Sequence, residues 1–264
     1  MKTLIYQCWT GRIRPGCLAS QANISQYAQR IGAQYWFSKD PNIAGRLCDV
    51  PIYFEWLNPL LDESFLDFDA VLSVDMDVFA VDGLQQSIFT EAIGDVALCT
   101  EPFQPEYRAT GTGPICAEQD EKWARAVAKE WHVEMPRDER GRLKVYNAGV
   151  VVFSKGGLLK CRERFVPFQQ YIDLMRAAGL PRFYSLDQNY FHAMLKVAAL
   201  DYVELANSWN SYIHYTGSPD IQPRPVHDSR RPDSRFVHIQ LRGADDFDAA
   251  KLGRITNLDQ ANWG

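Results

Sequence analysis

The sequence lacks several features that would each indicate a particular class of protein. No apolar segment reaches the roughly 20 residues that a membrane-spanning helix needs, so we expect no transmembrane segment. The first nine residues lack the long apolar core of a signal peptide, which favours a cytoplasmic location. Positive charge is not in excess, since the formal net charge is -5. We therefore expect no nucleic-acid partner, because phosphate contacts require a basic face.

The arrangement of the cysteines does not indicate metal or disulfide chemistry. All six are dispersed, and no Cys-x-x-Cys pair occurs, so neither a zinc site nor a disulfide framework is indicated. Several lie in apolar runs, as buried thiols do, which agrees with a reducing compartment. With 46% hydrophobic and 23% charged residues, the chain has the composition of a globular protein with a substantial core. Its 264 residues are expected to form one domain, 1–264.

The most informative stretch is residues 69–83, in which two aspartates directly follow an apolar segment. Residues 70–74, Ala-Val-Leu-Ser-Val, have the pattern of a short buried strand, and Asp75, Met76 and Asp77 come next. Two carboxylates so close together repel each other, whereas hard divalent cations take oxygen ligands and often use only one or two protein carboxylates. A metal site at the carboxyl end of a strand is one interpretation. An ordinary loop start is the other.

The remaining chain alternates between predicted strands and helices, which indicates an α/β fold. Strands are predicted at residues 3–8, 33–37, 70–74, 95–100, 145–154, 199–205 and 236–240. Helices are predicted at residues 24–31, 51–66, 117–131 and 186–197. The opening strand, loop, helix and strand are typical of a nucleotide-binding half, although no Gly-x-Gly-x-x-Gly is present. Tyr6, Gln7 and Thr10 are either contacts for a nucleotide base or plain strand-end residues.

Polar residues also interrupt two later elements. Asn147 and Gly149 lie within an apolar strand, where glycine indicates a bulge or close backbone approach, and an amide beside bare backbone would suit a sugar. Ser185 and the glutamine three residues later match a capping box, which places Asp187 and Gln188 in a first helical turn. There they either face a cleft or, for Asp187, only favour the helix dipole.

Two long connections are rich in proline, and one histidine lies in a late strand. Residues 101–116 and 218–233 are predicted to be loops long enough to act as lids. His238 occurs in the apolar strand 236–240, where a histidine is more often a satisfied core residue than a ligand.

Four segments, in this order, resemble the family-8 glycosyltransferases, which include glycogenin and bacterial lipopolysaccharide galactosyltransferases. They are the strand with its Asp-x-Asp at 69–77, Tyr-Asn-Ala-Gly-Val at 146–150, Asp-Gln at 187–188 and Trp-Asn at 209–210. His238 falls where that family keeps a third metal ligand.

The resemblance implies a GT-A fold, a Rossmann-like nucleotide-sugar transferase domain with a mixed central sheet flanked by helices. Its nucleotide-binding half would cover about residues 1–100, and residues 101–264 would serve the donor sugar and the acceptor. A divalent ion, Mn²⁺ rather than Mg²⁺, would be held by Asp75, Asp77 and His238. The ion would bridge the diphosphate of a UDP-sugar, whose sugar would pass, with retention, to a saccharide, lipid-linked or protein acceptor.

The resemblance further implies roles for individual residues. Three would act on the donor sugar: Asn147, Asp187 and Gln188. Together with the base contacts expected from the opening strand and loop, the residues expected to bind the remainder of the donor are Tyr6, Gln7, Thr10, Met76, Gly149 and Arg242. On donor binding, the two proline-rich loops would become ordered.

The chain also departs from the family pattern. The family's late His-x-x-Gly-x-x-Lys is absent, and Arg242 is the nearest substitute, although Arg and Lys differ in geometry and hydration. Glu55 lies near the position of a usual arginine. These departures keep open a non-catalytic nucleotide-sugar-binding or interaction protein. A haloacid-dehalogenase-type phosphatase fits poorly, because Phe79 stands where that family has Thr or Val.

Overall fold

A computed structural model describes residues 1–42, 44–111, 113–214, 227–239 and 247–260. Within these ranges there are ten strands: β1 (Thr3–Trp9), β2 (Gln34–Lys39), β3 (Ala70–Val74), β4 (Val78–Ala80), β5 (Val96–Thr100), β6 (Tyr146–Ser154), β7 (Tyr202–Glu204), β8 (Ser211–His214), β9 (His227–Asp228) and β10 (Phe236–Ile239). The same ranges contain seven α-helices: α1 (Pro15–Ile31), α2 (Gln104–Thr110), α3 (Ala117–Trp131), α4 (Lys155–Arg164), α5 (Phe168–Ala177), α6 (Asp187–Val197) and α7 (Ala249–Thr256).

Six strands form the central sheet in the order β2-β1-β3-β6-β5-β7. β1 pairs in parallel with β2 and β3, and β5 pairs in parallel with β7. β6 runs antiparallel to both of its neighbours, β3 and β5. The sheet is therefore mixed and flanked by helices, as predicted.

Both faces of this sheet are covered, which explains why its central strands are almost continuously apolar. All five residues of β3 are buried, and so are the first eight of β6. Alternate side chains enter different clusters: Tyr6 and Val71 pack with residues of α3, α5 and α6, whereas Ile5 and Leu72 pack with residues of α1. The period of two that a strand imposes thus divides the core into two layers.

A second sheet lies where the chain leaves the first. Its strand order is β4-β10-β8-β9, with β10 antiparallel to β4 and parallel to β8. Only residues 75–77 separate β3 from β4, so the chain passes from the large sheet to the small one within the Asp-x-Asp segment. Backbone bonds hold this crossing on both sides, because Asp75 N donates to Gly149 O at 2.9 Å and Ile239 N donates to Asp77 O at 2.9 Å.

Three sequence predictions about regular elements differ from the structure. Residues 51–66 do not form one helix but three short 3-10 helices, Pro51–Tyr53, Glu55–Leu60 and Glu63–Asp67. A proline at position 59 interrupts any α-helix there, because it lacks an N–H and its ring clashes with the carbonyl four residues earlier. The predicted strand 199–205 shortens to β7, since Ala199 has a positive φ of 49° and turns the chain.

The third difference concerns the predicted capping box. Ser185 is buried and ends a preceding 3-10 helix, Arg182–Ser185, so Leu186 takes the N-cap position without a side-chain cap. The helix itself is present as α6. Helices α4, α5 and α7 were not predicted. In α4, two adjacent glycines weaken the helical signal, yet Gly157 is required, because a Cβ there would lie 1.8 Å from the Asp95 carbonyl oxygen.

The segment 101–116 also differs from the predicted loop, because it contains α2. A buried ion pair attaches this helix to α3: Arg108 Nη1 lies 2.9 Å from Asp120 Oδ1, and both side chains are at most 10% exposed. Tyr184 donates a further hydrogen bond to the same carboxylate oxygen at 2.7 Å. Of the second predicted loop, residues 218–226 lie outside the described residues, and residues 227–228 form β9.

We expect Arg108→Ala to lower the free energy of unfolding by about 3 kcal/mol, because the Asp120 carboxylate would stay buried without its cation. Urea denaturation measures this change. As a control, Arg137→Ala removes the exposed ion pair with Glu121 and should cost at most about 1 kcal/mol. Equal losses in the two variants would contradict this expectation.

Candidate metal and donor site

Three side chains from two different strand ends converge at the crossing between the sheets. Asp75 and Asp77 follow β3, and His238 lies in β10, which pairs with β4. One ligand atom from each of the three lies within 4.8 Å of the others. His238 Nε2 is 3.2 Å from Asp77 Oδ1. The fold therefore brings together the three residues that the sequence proposes as metal ligands.

The electrostatics of this cluster favour a bound cation. Burial, followed by the nearby charge of Asp77, raises the pKa of Asp75 to about 6. Burial lowers the pKa of His238, but the charges of Asp77 and Asp75 outweigh it and raise that pKa to about 9. Two partly exposed carboxylates thus face one buried imidazole. This donor set fits a divalent ion such as Mn²⁺, which takes carboxylate oxygens and tolerates imidazole.

Gly149 in β6 allows His238 to reach this position. A Cβ at Gly149 would lie 2.4 Å from Cε1 of the imidazole and 2.8 Å from Asn147 Oδ1. Real atoms do not approach so closely, so any larger residue would displace the ring. The close backbone approach predicted from this glycine is confirmed, and the approaching group is a histidine ring.

Asn147 is buried at 7% exposure and already makes several hydrogen bonds. Its Nδ2 donates to Glu101 Oε1 at 2.8 Å, and its Oδ1 accepts from Gly149 N at 2.7 Å. Asn210 Nδ2 donates to the same Oδ1 at 2.9 Å. The sequence interpretation identified Asn147 as a contact for the donor sugar. In the structure both ends of its amide have protein partners.

Asp187 lies at the start of α6, on the same side as the metal cluster. Its Oδ2 accepts a hydrogen bond from Trp56 Nε1 at 2.6 Å. Burial raises the pKa of Asp187, and the charge of Asp75 raises it further. The hydrogen bond from Trp56 lowers it, and the resulting pKa is about 7. Gln188, the next residue, is half-buried and lines a small cavity with Arg108 and Asp120.

The residues proposed for the nucleotide differ in exposure. Tyr6 and Gln7 are completely buried, which leaves neither side chain a surface for a base, while Thr10 is exposed. Gln7 instead supports the metal cluster, because its Nε2 donates to the Asp75 carbonyl at 3.0 Å. Met76 is 4% exposed. The remaining candidate, Arg242, lies outside the described residues.

Sequence reasoning missed the groups behind the metal ligands. Glu101 was assigned to the start of a loop, and Trp56 was assigned to the core. Asn210 belonged to the motif that carries the resemblance, but the sequence assigned it no role. Tyr212, whose ring stacks on His238 with centroids 5.0 Å apart, had no distinguishing signal. Each of these residues is recognisable only from its neighbours in space.

We expect the stability of the parent relative to Asp187→Asn to fall as pH rises from about 4 to about 7. In this window the folded parent keeps a proton on Asp187, whose pKa is raised from 3.8, that the unfolded chain has released. Denaturant unfolding at several pH values measures the difference. Asp173→Asn, at an exposed position of α5, is the control and should show no such trend. A pH-independent difference for Asp187→Asn would contradict the expectation.

The chain matches no protein-family model, and no curated protein sequence matches it. Several solved structures are similar to it. An active-site mutant of LgtC aligns over 89% of this chain and 86% of its own, with a TM-score of 0.51 and 13% identity. The galactosyltransferase LgtC in complex with donor and acceptor sugar analogs gives a TM-score of 0.50 and 11% identity over the same shares.

A third similar structure is a glycosyltransferase involved in the glycosylation of the major capsid of PBCV-1. It aligns over 90% of this chain and 93% of its own, with a TM-score of 0.50 and 12% identity. In the described part of this chain, no helix is long and apolar enough to cross a membrane. At such low identities the likeness concerns the fold alone. The chain has the GT-A fold of these glycosyltransferases, as its sequence predicts.

Proposed function

We propose that this protein is a metal-dependent glycosyltransferase that uses a UDP-sugar as donor and Mn²⁺ as its metal. The observation that carries the proposal is the convergence of Asp75, Asp77 and His238 within 4.8 Å, at a strand end of a GT-A fold. The carboxyl ends of strands in open α/β sheets are the usual place for ligands. A divalent cation would offset the repulsion between two carboxylates held so close together.

The three ligands would hold the ion, and the ion would supply Lewis-acid stabilisation of the charge that develops on the leaving diphosphate. Because the backbone bonds of Asp75 and Asp77 join two sheets, the backbone that carries their carboxylates is fixed from both sides. Asp187, oriented by Trp56, would bind the donor sugar beside this site. We propose retention of configuration, with the leaving phosphate accepting the proton of the acceptor hydroxyl, so that no strongly basic side chain is required.

Calorimetric titration with UDP, in the presence and absence of Mn²⁺, tests this function. GDP and ADP are the matched controls for the base. We expect UDP alone of the three to bind, and only with Mn²⁺. Binding of a different nucleotide would change the donor, whereas absence of all binding would contradict the proposed function.

We expect Asp77→Ala to abolish Mn²⁺-dependent UDP binding while the protein stays folded, because the metal loses a charged ligand and His238 loses its partner. Circular dichroism checks the fold. Asp82→Ala is the control, since Asp82 is an exposed aspartate just beyond β4. If Asp77→Ala binds UDP and Mn²⁺ as tightly as the parent, the metal assignment is wrong.

A non-catalytic nucleotide-sugar-binding protein remains the second candidate because of Glu55. This side chain is 4% exposed. Burial raises the pKa of Cys8, and the charges of Asp75 and Glu55 raise it further, so both carboxylates lie near that thiol. A buried carboxylate therefore lies near the position at which the family pattern has an arginine. Release of free sugar or transfer from UDP-sugars would exclude this candidate, while tight UDP binding without any turnover would favour it.

A further inference from the structure

The second ring nitrogen of His238 is held by a buried chain of hydrogen bonds that no sequence motif describes. Nδ1 of His238 lies 3.1 Å from Asn210 Oδ1. Asn210 Nδ2 donates to Asn147 Oδ1, and Asn147 Nδ2 donates to Glu101 Oε1. Tyr212 completes the set, since its hydroxyl accepts from Asn210 at 3.2 Å and donates to Glu101 at 3.2 Å. We call these four residues behind His238 the amide relay: Glu101, Asn147, Asn210 and Tyr212.

The direction of every bond in the amide relay follows from its two fixed ends. The backbone N–H of Gly149 can only donate, and a Glu101 carboxylate can only accept. Asn147 must therefore turn its oxygen towards Gly149 and its NH₂ towards Glu101. Asn210 must then offer its own NH₂ to the Asn147 oxygen, which leaves its oxygen facing His238. The imidazole nitrogen opposite that oxygen has to carry hydrogen.

This arrangement determines which nitrogen of His238 is available to a metal. With Nδ1 protonated and bonded to Asn210, Nε2 is left as the nitrogen that faces Asp77 at 3.2 Å. Metal-binding histidines commonly donate their other N–H to such a partner, which fixes ring orientation and tautomer. All four relay residues are buried, at 1–7% exposure, so water does not compete for these bonds.

We propose that the amide relay positions His238 for metal binding, with Asn210 as the direct partner and Asn147 and Glu101 as its support. Asn147 is then a positioning residue for the metal ligand. The interpretation of Asn147 as a donor-sugar contact makes a different prediction, because a sugar contact has no effect when metal binds alone. The proposal rests on the proposed function in so far as it assumes that the cluster of Asp75, Asp77 and His238 takes a divalent ion.

The test measures binding of Mn²⁺ alone, without nucleotide, by the electron paramagnetic resonance signal of the free ion. We expect Asn210→Ala and Asn147→Ala each to weaken Mn²⁺ binding roughly tenfold or more. Asn207→Ala is the matched control, since Asn207 is an exposed asparagine in the same 3-10 helix, Asn207–Asn210, and its side chain bonds Thr100 instead. It should bind Mn²⁺ like the parent.

A second measurement requires no metal. In the parent and in Asn207→Ala, proton NMR should show a downfield imidazole N–H signal from His238 Nδ1, protected from exchange by its bond to Asn210. In Asn210→Ala this signal should be lost. Circular dichroism establishes that each variant is folded, and Asn147→Ala carries the test if Asn210→Ala does not fold.

The outcomes separate this proposal from the proposed function. If the parent binds Mn²⁺ and Asn147→Ala and Asn210→Ala bind it equally well, the positioning role is overturned while the metal site stands. A protected Nδ1 proton that persists in Asn210→Ala also overturns it. If the parent itself binds no Mn²⁺, the proposed function falls, and a metal-positioning role falls with it.

Discussion

The structure depends on the contact between the His238 ring and the bare backbone of Gly149. This contact seats β10 of the small sheet against β6 of the large one, at the point where the chain crosses between them. The crossing segment, Asp75 to Asp77, is bonded to β6 on one side and to β10 on the other. The placement of the imidazole beside the two carboxylates therefore requires the absence of a side chain at position 149.

The site concentrates carboxylates whose charge the fold offsets only in part, through the His238 imidazole. Burial is the main cause that raises the pKa of Asp75 to about 6 and that of Asp187 to about 7, and the charge of Asp75 adds to the rise at Asp187. Groups with such raised pKa values lower the folding stability. They are often found where their charge serves binding or catalysis. A divalent cation would supply the missing positive charge. The unfavourable electrostatics and the proposed function therefore have the same origin.

The sequence predicted the sheet and the metal cluster better than the residues around them. The Asp-x-Asp after β3 and the glycine in β6 are local signals, and both could be recognised from short patterns. The three 3-10 helices of residues 51–67 were not recognised, because tertiary packing of aromatics stabilises turns that proline excludes from an α-helix. Glu101 and Asn210 are 109 positions apart, so no local pattern can show that they serve one histidine.

The segment from Glu101 to Thr110 has two separate anchorages, and this limits what can move near the site. At its start, Glu101 is fastened to Asn147 behind the metal cluster. Towards its end, Arg108 is fastened to Asp120, which also holds the turn that precedes α6 through Tyr184. We expect a segment anchored at both ends to open less readily than a free loop, because its opening would break a buried hydrogen bond and a buried ion pair.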